Sequence, residues 1–276
     1  MTQKAFAGQV AWITGAGSGI GKALAFELAA RGAHVVVSGR RLANLESVAK
    51  EIEARGGKAT PVTCDVCDED DVRRAVEDIV RELGRLDVCV ANAGFSVSGF
   101  VAKLTAEDWR RQFDTNVVGA AMTVKYAVPE LMKQGGRVVL IGSVAAFVGA
   151  ARTGPYSASK AALRAIGQVL ALELHGTGVS TTLIHPGFVE SEIAQVDNKG
   201  VHDASRDDHR PKQLMWTAEK AARVMANAIH ARKAEYVFTG HGKVGAFLGQ
   251  HAPQLVHFAL THGPAAKAAK KIRPDG

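Results

Sequence analysis

Short apolar runs alternate with longer amphipathic segments along most of the chain. The short runs are rich in β-branched residues and apolar on both faces, as buried strands are. They predict strands over residues 9–14, 33–38, 58–63, 86–91, 136–143, 179–185 and 234–239. The segments between them predict helices over residues 20–31, 42–55, 68–83, 105–133, 155–175 and 217–232.

This alternation predicts an α/β fold, a Rossmann-like doubly wound parallel sheet of seven strands with helices on both faces. We expect one catalytic domain over residues 1–240 and a basic, partly helical C-terminal extension over residues 241–276. A polar, irregular stretch at about residues 190–215 has the length of a lid or substrate loop. Ligands of such sheets bind at the carboxyl ends of the strands, where the motifs below fall.

Charge is concentrated at the C-terminus. The 276 residues carry a formal net charge of +7. The last 37 contribute four of those charges, from Lys243, Lys267, Lys270, Lys271 and Arg273 against Asp275. The rest of the chain is near balance, which argues against a nucleic-acid partner. Two interpretations of the tail stay open: short helices packed beside the substrate mouth, or weak contact with an anionic membrane surface. Three cysteines and the lack of an export signal predict a cytoplasmic protein.

A glycine-rich turn connects the first predicted strand to the first helix. Its glycines are Gly15, Gly17, Gly19 and Gly21. Glycines let backbone N–H groups approach a pyrophosphate at the positive end of a helix. A plain tight turn would look similar, but its place at the first strand-to-helix junction favours a nucleotide site.

The second predicted strand ends at Ser38-Gly39-Arg40-Arg41, where this fold meets the adenosine ribose. An acid there would bind a free 2′-hydroxyl, and the first acid is Glu46. Arg40 can offer a guanidinium fork to a 2′-phosphate. The sequence therefore favours NADP(H), although two arginines can also simply begin an exposed helix.

Tyr156 and Lys160 lie one helical turn apart, so they share a helix face. An ammonium near a phenol favours the phenolate, which would lower the pKa of Tyr156. Such a tyrosine can exchange a proton with a hydroxyl or carbonyl oxygen. Ser143, thirteen residues earlier, can hydrogen-bond the same oxygen. Asn116 lies inside a predicted helix, where an amide favours a local break that binds water.

Together these motifs resemble the short-chain dehydrogenase/reductase family over residues 8 to about 239. Asp65, Asn92-Ala93-Gly94 and Pro186-Gly187 complete the ordered set. The resemblance implies a catalytic tetrad of Asn116, Ser143, Tyr156 and Lys160. In it Tyr156 is the acid/base, Ser143 binds the substrate oxygen, Lys160 binds the nicotinamide ribose and depresses the tyrosine pKa, and Asn116 holds a water.

The resemblance also implies the cofactor contacts. These are Gly15, Ser18, Gly19, Ile20, Gly21, Ser38, Arg40, Arg41, Asp65, Val66, Asn92, Ala93, Gly94, Tyr156, Lys160, Pro186, Gly187, Val189 and Ser191. Two positions depart from the family pattern: Ala91 replaces a frequent asparagine and Ser191 a usual threonine. The family further implies a homodimer or homotetramer through the helices that carry Asn116 and Tyr156.

The function that follows is NADP(H)-dependent hydride transfer between nicotinamide and a carbonyl or secondary alcohol. Phe95, Phe147 and Phe188 follow strand-end motifs, so with Ser143 and Tyr156 they predict a pocket for an apolar ketone or a steroid- or lipid-like substrate. The alternatives are an NAD(H)-linked alcohol dehydrogenase or a non-catalytic nucleotide-sensing or membrane-docking protein. We expect no metal, because the Cys64-x-x-Cys67 pair has no second pair.

Overall fold

The computed structural model describes residues 4–203, 205–208 and 210–263. Its strands are β1 (Val10–Thr14), β2 (His34–Gly39), β3 (Lys58–Thr63), β4 (Val88–Ala91), β5 (Arg137–Ile141), β6 (Ser180–His185) and β7 (Glu235–Val237). Its helices are α1 (Gly19–Ala30), α2 (Leu42–Ala54), α3 (Glu69–Leu83), α4 (Ala106–Phe113), α5 (Gly119–Gln134), α6 (Gly154–Glu173), α7 (Ala218–His230), α8 (Gly240–His251) and α9 (Pro253–His262). The strands form one parallel sheet in the order β3-β2-β1-β4-β5-β6-β7, so the predicted fold class is confirmed.

Two apolar layers, one on each face of the sheet, form the core. Alternate residues of β1 divide between them, because successive side chains of a strand point to opposite faces. Ala11 and Ile13 pack with the layer formed by α1, α2 and α7. Val10 and Trp12 pack with the layer formed by α3, α5 and α6. This double burial explains why the strand sequences are apolar at consecutive positions.

The chain reverses its direction of winding between β1 and β4. Strands β1, β2 and β3 follow one another toward one edge, while β4 to β7 run toward the other. The connections that follow β1 and β4 therefore pass over opposite faces of the sheet. Their divergence opens a crevice at the carboxyl ends of these two strands. The candidate site described below lies at this crevice.

The long helix predicted over residues 105–133 is interrupted. Helix α4 ends at Phe113, and a π-helical turn over Asp114–Val118 precedes α5. The predicted helix start holds, because the Thr105 hydroxyl accepts from the Asp108 N–H and the Asp108 carboxylate accepts from the Thr105 N–H. The wide turn falls at Asn116, where a local break was expected, and π-helical turns are frequent at functional sites.

The last strand is shorter than predicted. Strand β7 ends at Val237, and Thr239 instead begins α8 as its N-cap, with its hydroxyl accepting from the Gly242 N–H at 3.1 Å. Helices α8 and α9 follow directly. No helix among the described residues is long and apolar enough to cross a bilayer. The basic tail from residue 264 onward lies outside the described residues.

Candidate active site

The glycine turn brings the backbone of β1 close to that of β4. Gly15 and Gly19 adopt φ angles of +66° and +53°, which side chains rarely tolerate. A Cβ on Gly21 would overlap the Gly15 carbonyl oxygen and the Asn92 amide. Ser18 is the N-cap of α1 and makes no side-chain capping bond within the described residues. The N–H groups of the first turn of α1 are therefore available to an anion at its positive end.

Thr14 and Asn92 tie the two sides of the crevice together. The Thr14 hydroxyl accepts from the Asn92 and Ala93 N–H groups, each at 3.1 Å. The Asn92 amide donates to the carbonyl oxygens of Thr14 at 2.8 Å and Gly15 at 3.2 Å. Asn92 thus fixes the shape of the glycine turn with its side chain, and the residue also lines the cavity.

Three of the predicted catalytic residues meet where β5 and α6 approach each other. Tyr156 lies in the first turn of α6, which Pro155 helps to start, and Lys160 lies one turn further on. Ser143 follows β5 and lines the same cavity as Tyr156 and Lys160. The Lys160 Nζ donates to the Ile141 carbonyl at 2.8 Å and lies 5.8 Å from the centre of the Tyr156 ring.

Burial shifts the pKa values of both Lys160 and Tyr156. It lowers the pKa of Lys160 to about 8, because the ammonium has lost most of its hydration. Burial also raises the pKa of Tyr156, and this outweighs the Ser143 hydrogen bond and the positive charge of Arg210, which both act to lower it. The predicted lowering of the Tyr156 pKa by Lys160 is therefore wrong for this structure. The phenol is protonated at neutral pH and can act as a proton donor.

Asn116 is completely buried and bonded on both ends of its amide. Its Oδ1 accepts from the Phe95 N–H, and its Nδ2 donates to the Phe95 carbonyl and to the Ser159 hydroxyl, all at 3.1 Å. The side chain therefore joins the π-helical turn to the loop after β4 and to α6. Its amide is used in these contacts, so a water bridge to Lys160 would have to use its backbone. Gln112, which belongs to no sequence motif, holds the same loop: its Oε1 accepts from the Val97 N–H and its Nε2 donates to the Phe95 carbonyl.

The ends of β2 and β3 form the remaining wall of the crevice. Arg40 and Arg41 are exposed there, and Asp65 and Val66 follow β3. Ser38 does not reach the cavity, because its buried hydroxyl accepts from the Trp12 indole N–H at 2.8 Å and donates to the Ile13 carbonyl. It belongs to the core, although the resemblance implied a cofactor contact.

All these walls enclose one cavity of about 570 Å³. Most of the expected site residues line it, and they come from the carboxyl ends of the strands as predicted. They are Gly15, Ser18, Gly19, Ile20, Gly21, Arg40, Arg41, Asp65, Val66, Asn92, Ala93, Gly94, Phe95, Ser143, Tyr156, Lys160, Pro186, Gly187, Val189 and Ser191.

A sequence model of the short chain dehydrogenase family matches residues 9–202, which span every motif described above. The chain belongs to the short-chain dehydrogenase/reductase family. An uncharacterized oxidoreductase of Myxococcus xanthus is 40% identical over 69% of this chain and 76% of its own length. An 11-beta-hydroxysteroid dehydrogenase 1A of Arabidopsis thaliana is 42% identical over 68% of this chain, and the match spans about half (54%) of that relative.

Solved structures of the family superpose over most of the chain. A short-chain dehydrogenase from Burkholderia cenocepacia in complex with NADP has a TM-score of 0.77 and 30% identity, covering 87% of this chain and 99% of that one. A short-chain dehydrogenase/reductase from Burkholderia phymatum in complex with NAD has a TM-score of 0.77 and 26% identity, covering 99% of each chain. Family members thus bind either nicotinamide cofactor in this fold.

A roof over the crevice lies within the polar stretch at about residues 190–215 that has the length of a lid or substrate loop. It is formed by residues 192–203, with Arg210 beside them. Arg210 uses its guanidinium donors on the Asp208 carboxylate, the Val189 carbonyl, and the hydroxyl and carbonyl of Ser191. It therefore holds the segment after β6, which carries expected cofactor contacts. Arg210 lies in no recognisable motif, so only the folded chain identifies it.

Only one of the three aromatic residues expected at the substrate pocket lines the cavity. Phe95 lines the cavity, whereas Phe147 and Phe188 do not. The Phe147 ring packs edge-on against His185, and Phe188 stacks on His241 of α8. Both rings therefore support the packing of neighbouring elements. Helix α8 lies directly against the segment after β5, because a Cβ on Gly249 would overlap the Phe147 carbonyl oxygen.

The Cys64-x-x-Cys67 pair forms no disulfide, and all three cysteines of the chain are free thiols. Cys64 is buried, and burial raises its pKa to about 12, so it is unreactive near neutral pH. Cys67 is exposed and contacts the Thr115 hydroxyl at 3.4 Å. Among the described residues, no group of His, Cys, Asp or Glu side chains is arranged to hold a metal ion.

Proposed function

We propose that the protein is an NADP(H)-dependent carbonyl reductase and secondary-alcohol dehydrogenase. The observation that carries the proposal is that Ser143, Tyr156 and buried Lys160 lie together on the wall of the cavity that also contains the glycine turn. The residues fit a dinucleotide, because the glycine turn leaves no room for side chains and the first turn of α1 offers free N–H groups.

A nicotinamide cofactor, when bound, supplies or accepts the hydride. Tyr156 donates a proton to the oxygen of a ketone, since its raised pKa keeps the phenol protonated at neutral pH. The Ser143 hydroxyl donates a hydrogen bond to the same oxygen and stabilises the charge that develops there. Lys160, one helical turn beyond Tyr156, would bind the nicotinamide ribose through its ammonium. In the alcohol direction the same groups act in reverse.

The end of β2 supports NADP(H) over NAD(H). Arg40 and Arg41 are exposed at the cavity, and the position where an acid would bind a free 2′-hydroxyl holds Arg40. A guanidinium binds a phosphate through charge and paired donors. The alternative is an NAD(H)-linked alcohol dehydrogenase, and the related structures contain both cofactors.

An apolar ketone or a steroid- or lipid-like molecule is the substrate class that the cavity supports. Phe95, Val189 and Ile193 line it together with Ser143 and Tyr156. Arg210 also lines it, but the protein itself occupies the guanidinium donors, so this cation does not argue for an anionic substrate. The 42% identity to a protein named as a hydroxysteroid dehydrogenase supports the same class.

The test is a panel of ketones and secondary alcohols assayed with both cofactors, for the wild type and for Arg40→Ala. We expect turnover with NADPH, and we expect the variant to raise the Kd of NADPH about tenfold while the Kd of NADH stays within twofold. An equal effect on both cofactors would favour the NAD(H)-linked alternative. Cofactor binding without turnover of any substrate would favour the nucleotide-sensing alternative.

We also propose a homodimer or homotetramer formed through α5 and α6. Val118, at the end of the π-helical turn before α5, and Val169 and Leu172 of α6 are exposed, and Leu172 keeps 77% of its surface in solvent. Gly119 and Gly167 do not contribute to that surface, because they pack inward against Val66 and Leu183. Light scattering at micromolar concentration should give a multiple of 29.1 kDa. Leu172→Glu should shift it toward the monomer, because a carboxylate there would be buried.

The free thiols support a reducing compartment, and we propose the cytoplasm.

Weak contact with an anionic membrane surface is a second proposal, and it concerns the C-terminal extension. Phe247 and Phe258 are each 63% exposed, no described residue of α9 is buried, and the sequence has no acid between Glu235 and Asp275. Sedimentation with phosphatidylglycerol vesicles, but not with phosphatidylcholine vesicles, is the expected result. Truncation after Thr239 should abolish it.

A further inference from the structure

A tight turn of the roof, residues 196–202, is built around one carboxylate. We name these residues the lid turn. The Asp197 Oδ1 accepts from the N–H groups of Lys199 and Val201, each at 2.8 Å, and the Asp197 N–H donates to the Val201 carbonyl at 2.9 Å. Val196 and His202 close the turn with a β-bridge. Local bonds therefore fix which side chains the turn presents.

The lid turn lies against the end of β2. The Arg40 Nη2 donates to the Gly200 carbonyl at 3.4 Å, and Lys199, Gly200 and His202 line the same cavity as Arg40 and Arg41. The loop thus adds its own cation, Lys199, to a wall that already has two arginines. Lys199 and Arg40 are about 160 residues apart in sequence, so no local motif relates them.

Positive charge on this wall is only partly compensated. Glu192 lies 3.5 Å from the Arg41 guanidinium and 3.7 Å from the His202 ring, and the Asp197 carboxylate, which accepts from the amides of its own turn, also attracts the Lys199 charge. Within the described ranges, the Lys199 ammonium forms no ion pair or hydrogen bond. Like charges on the wall of one cavity repel one another, and a dianion between them would reverse that repulsion.

We propose that Lys199 of the lid turn and Arg40 of β2 together bind the 2′-phosphate of the adenosine ribose. The inference rests on the proposed NADP(H) dependence and makes the lid turn a second determinant of that choice. A lysine acts on a phosphate as a mobile point charge, whereas Arg40 supplies the planar fork. The phosphate therefore joins the lid turn to the sheet, which a free 2′-hydroxyl cannot do.

The same turn also reaches the other side of the crevice. The Asn198 Nδ2 donates to the Ser98 carbonyl, and the Ser98 N–H donates to the Asn198 Oδ1, both at 3.0 Å. Ser98 belongs to the loop after β4 that carries Phe95, a cavity residue. Phosphate binding at Lys199 therefore also stabilises the neighbouring contact between Asn198 and the substrate side of the cavity.

The first experiment measures cofactor binding by fluorescence titration for wild type, Lys199→Gln and Lys199→Arg. A matched control is Lys212→Gln, an exposed lysine nearby that does not line the cavity. We expect Lys199→Gln to raise the Kd of NADPH about tenfold and leave the Kd of NADH within twofold. Lys199→Arg should restore NADPH binding, because it keeps the charge, and the control should change neither Kd. Equal effects on both cofactors would overturn the inference.

The second experiment follows trypsin cleavage after Lys199 in the wild-type protein. Adenosine 2′,5′-bisphosphate should slow cleavage severalfold, and 5′-AMP at equal saturation should not, because only the former carries the 2′-phosphate. Equal protection by both ligands would overturn the inference. Arg40→Ala distinguishes failure of the lid-turn inference from failure of the proposed cofactor. If it weakens NADPH selectively while Lys199→Gln does not, the lid turn plays no part and the proposed cofactor stands; if it weakens both cofactors equally, the NADP(H) assignment itself is wrong.

Discussion

The floor and the roof of the crevice are built by different means. The floor consists of strand ends and helix starts held by buried groups such as Thr14, Asn116 and Lys160. The roof, residues 192–203 with Arg210, is held by polar contacts of half-buried or exposed side chains such as Asn198. Buried hydrogen bonds are costly to break, whereas exposed ones contribute little net stability. We therefore expect the floor to determine folding and chemistry, and the roof to determine ligand selection.

The largest effect should come from the floor at Tyr156. Tyr156→Phe keeps the ring but removes the hydroxyl that donates the proton. Turnover should fall by roughly 10²–10⁴. Cofactor Kd and the unfolding midpoint should stay near the wild-type values, which fluorescence titration and urea unfolding would check. Turnover near the wild-type rate would mean that another group donates the proton.

A second test compares two glycines. A Cβ at Gly21 would overlap the Gly15 carbonyl and the Asn92 amide, whereas a Cβ at Gly240 would meet nothing within 4 Å. Gly21→Ala should lower the free energy of unfolding by about 1–3 kcal/mol and abolish cofactor binding, because the turn must shift. Gly240→Ala should change that free energy by less than about 0.5 kcal/mol. Similar losses of unfolding free energy in both variants would contradict the prediction that the floor is rigid.

The smallest effect should come from Arg210 beside the roof. Arg210→Gln removes the links to the Val189 and Ser191 carbonyls, so the KM for cofactor should rise severalfold with little change in stability. It also removes a positive charge that lowers the pKa of Tyr156, so that pKa should rise. Alcohol oxidation needs the phenolate, so its acidic limb should move to higher pH.

Arg206→Gln on the same loop is the control for this charge effect. Arg206 is exposed and does not line the cavity. The pH profile of alcohol oxidation by Arg206→Gln should match that of the wild type. If Arg210→Gln raises KM but leaves the pH profile unchanged, its role is confined to holding the segment after β6.

The floor was largely predictable because its signals are local. The repeat of apolar residues along strands and helices, the glycine turn, and the Tyr156–Lys160 spacing each involve residues only a few positions apart. The exceptions are also informative. Ser38 points into the core because the Trp12 indole needs an acceptor there, and the helix predicted through Asn116 widens into a π-helical turn because that amide bonds Phe95 and Ser159.

The sequence by itself determined the order of strands and helices, the glycine turn and the spacing of the chemical groups, since these follow from backbone sterics and side-chain periodicity. Only the tertiary structure decided which contacts hold the roof in place. The Asn198–Ser98 contact joins positions 100 residues apart, and the Arg40–Gly200 contact joins positions 160 apart. Polar loop residues have no periodicity, and their partners are chosen by where the sheet places the loop ends. The acidity of Tyr156 was decided in the same way, because desolvation depends on the atoms that surround the phenol and not on its neighbours in sequence.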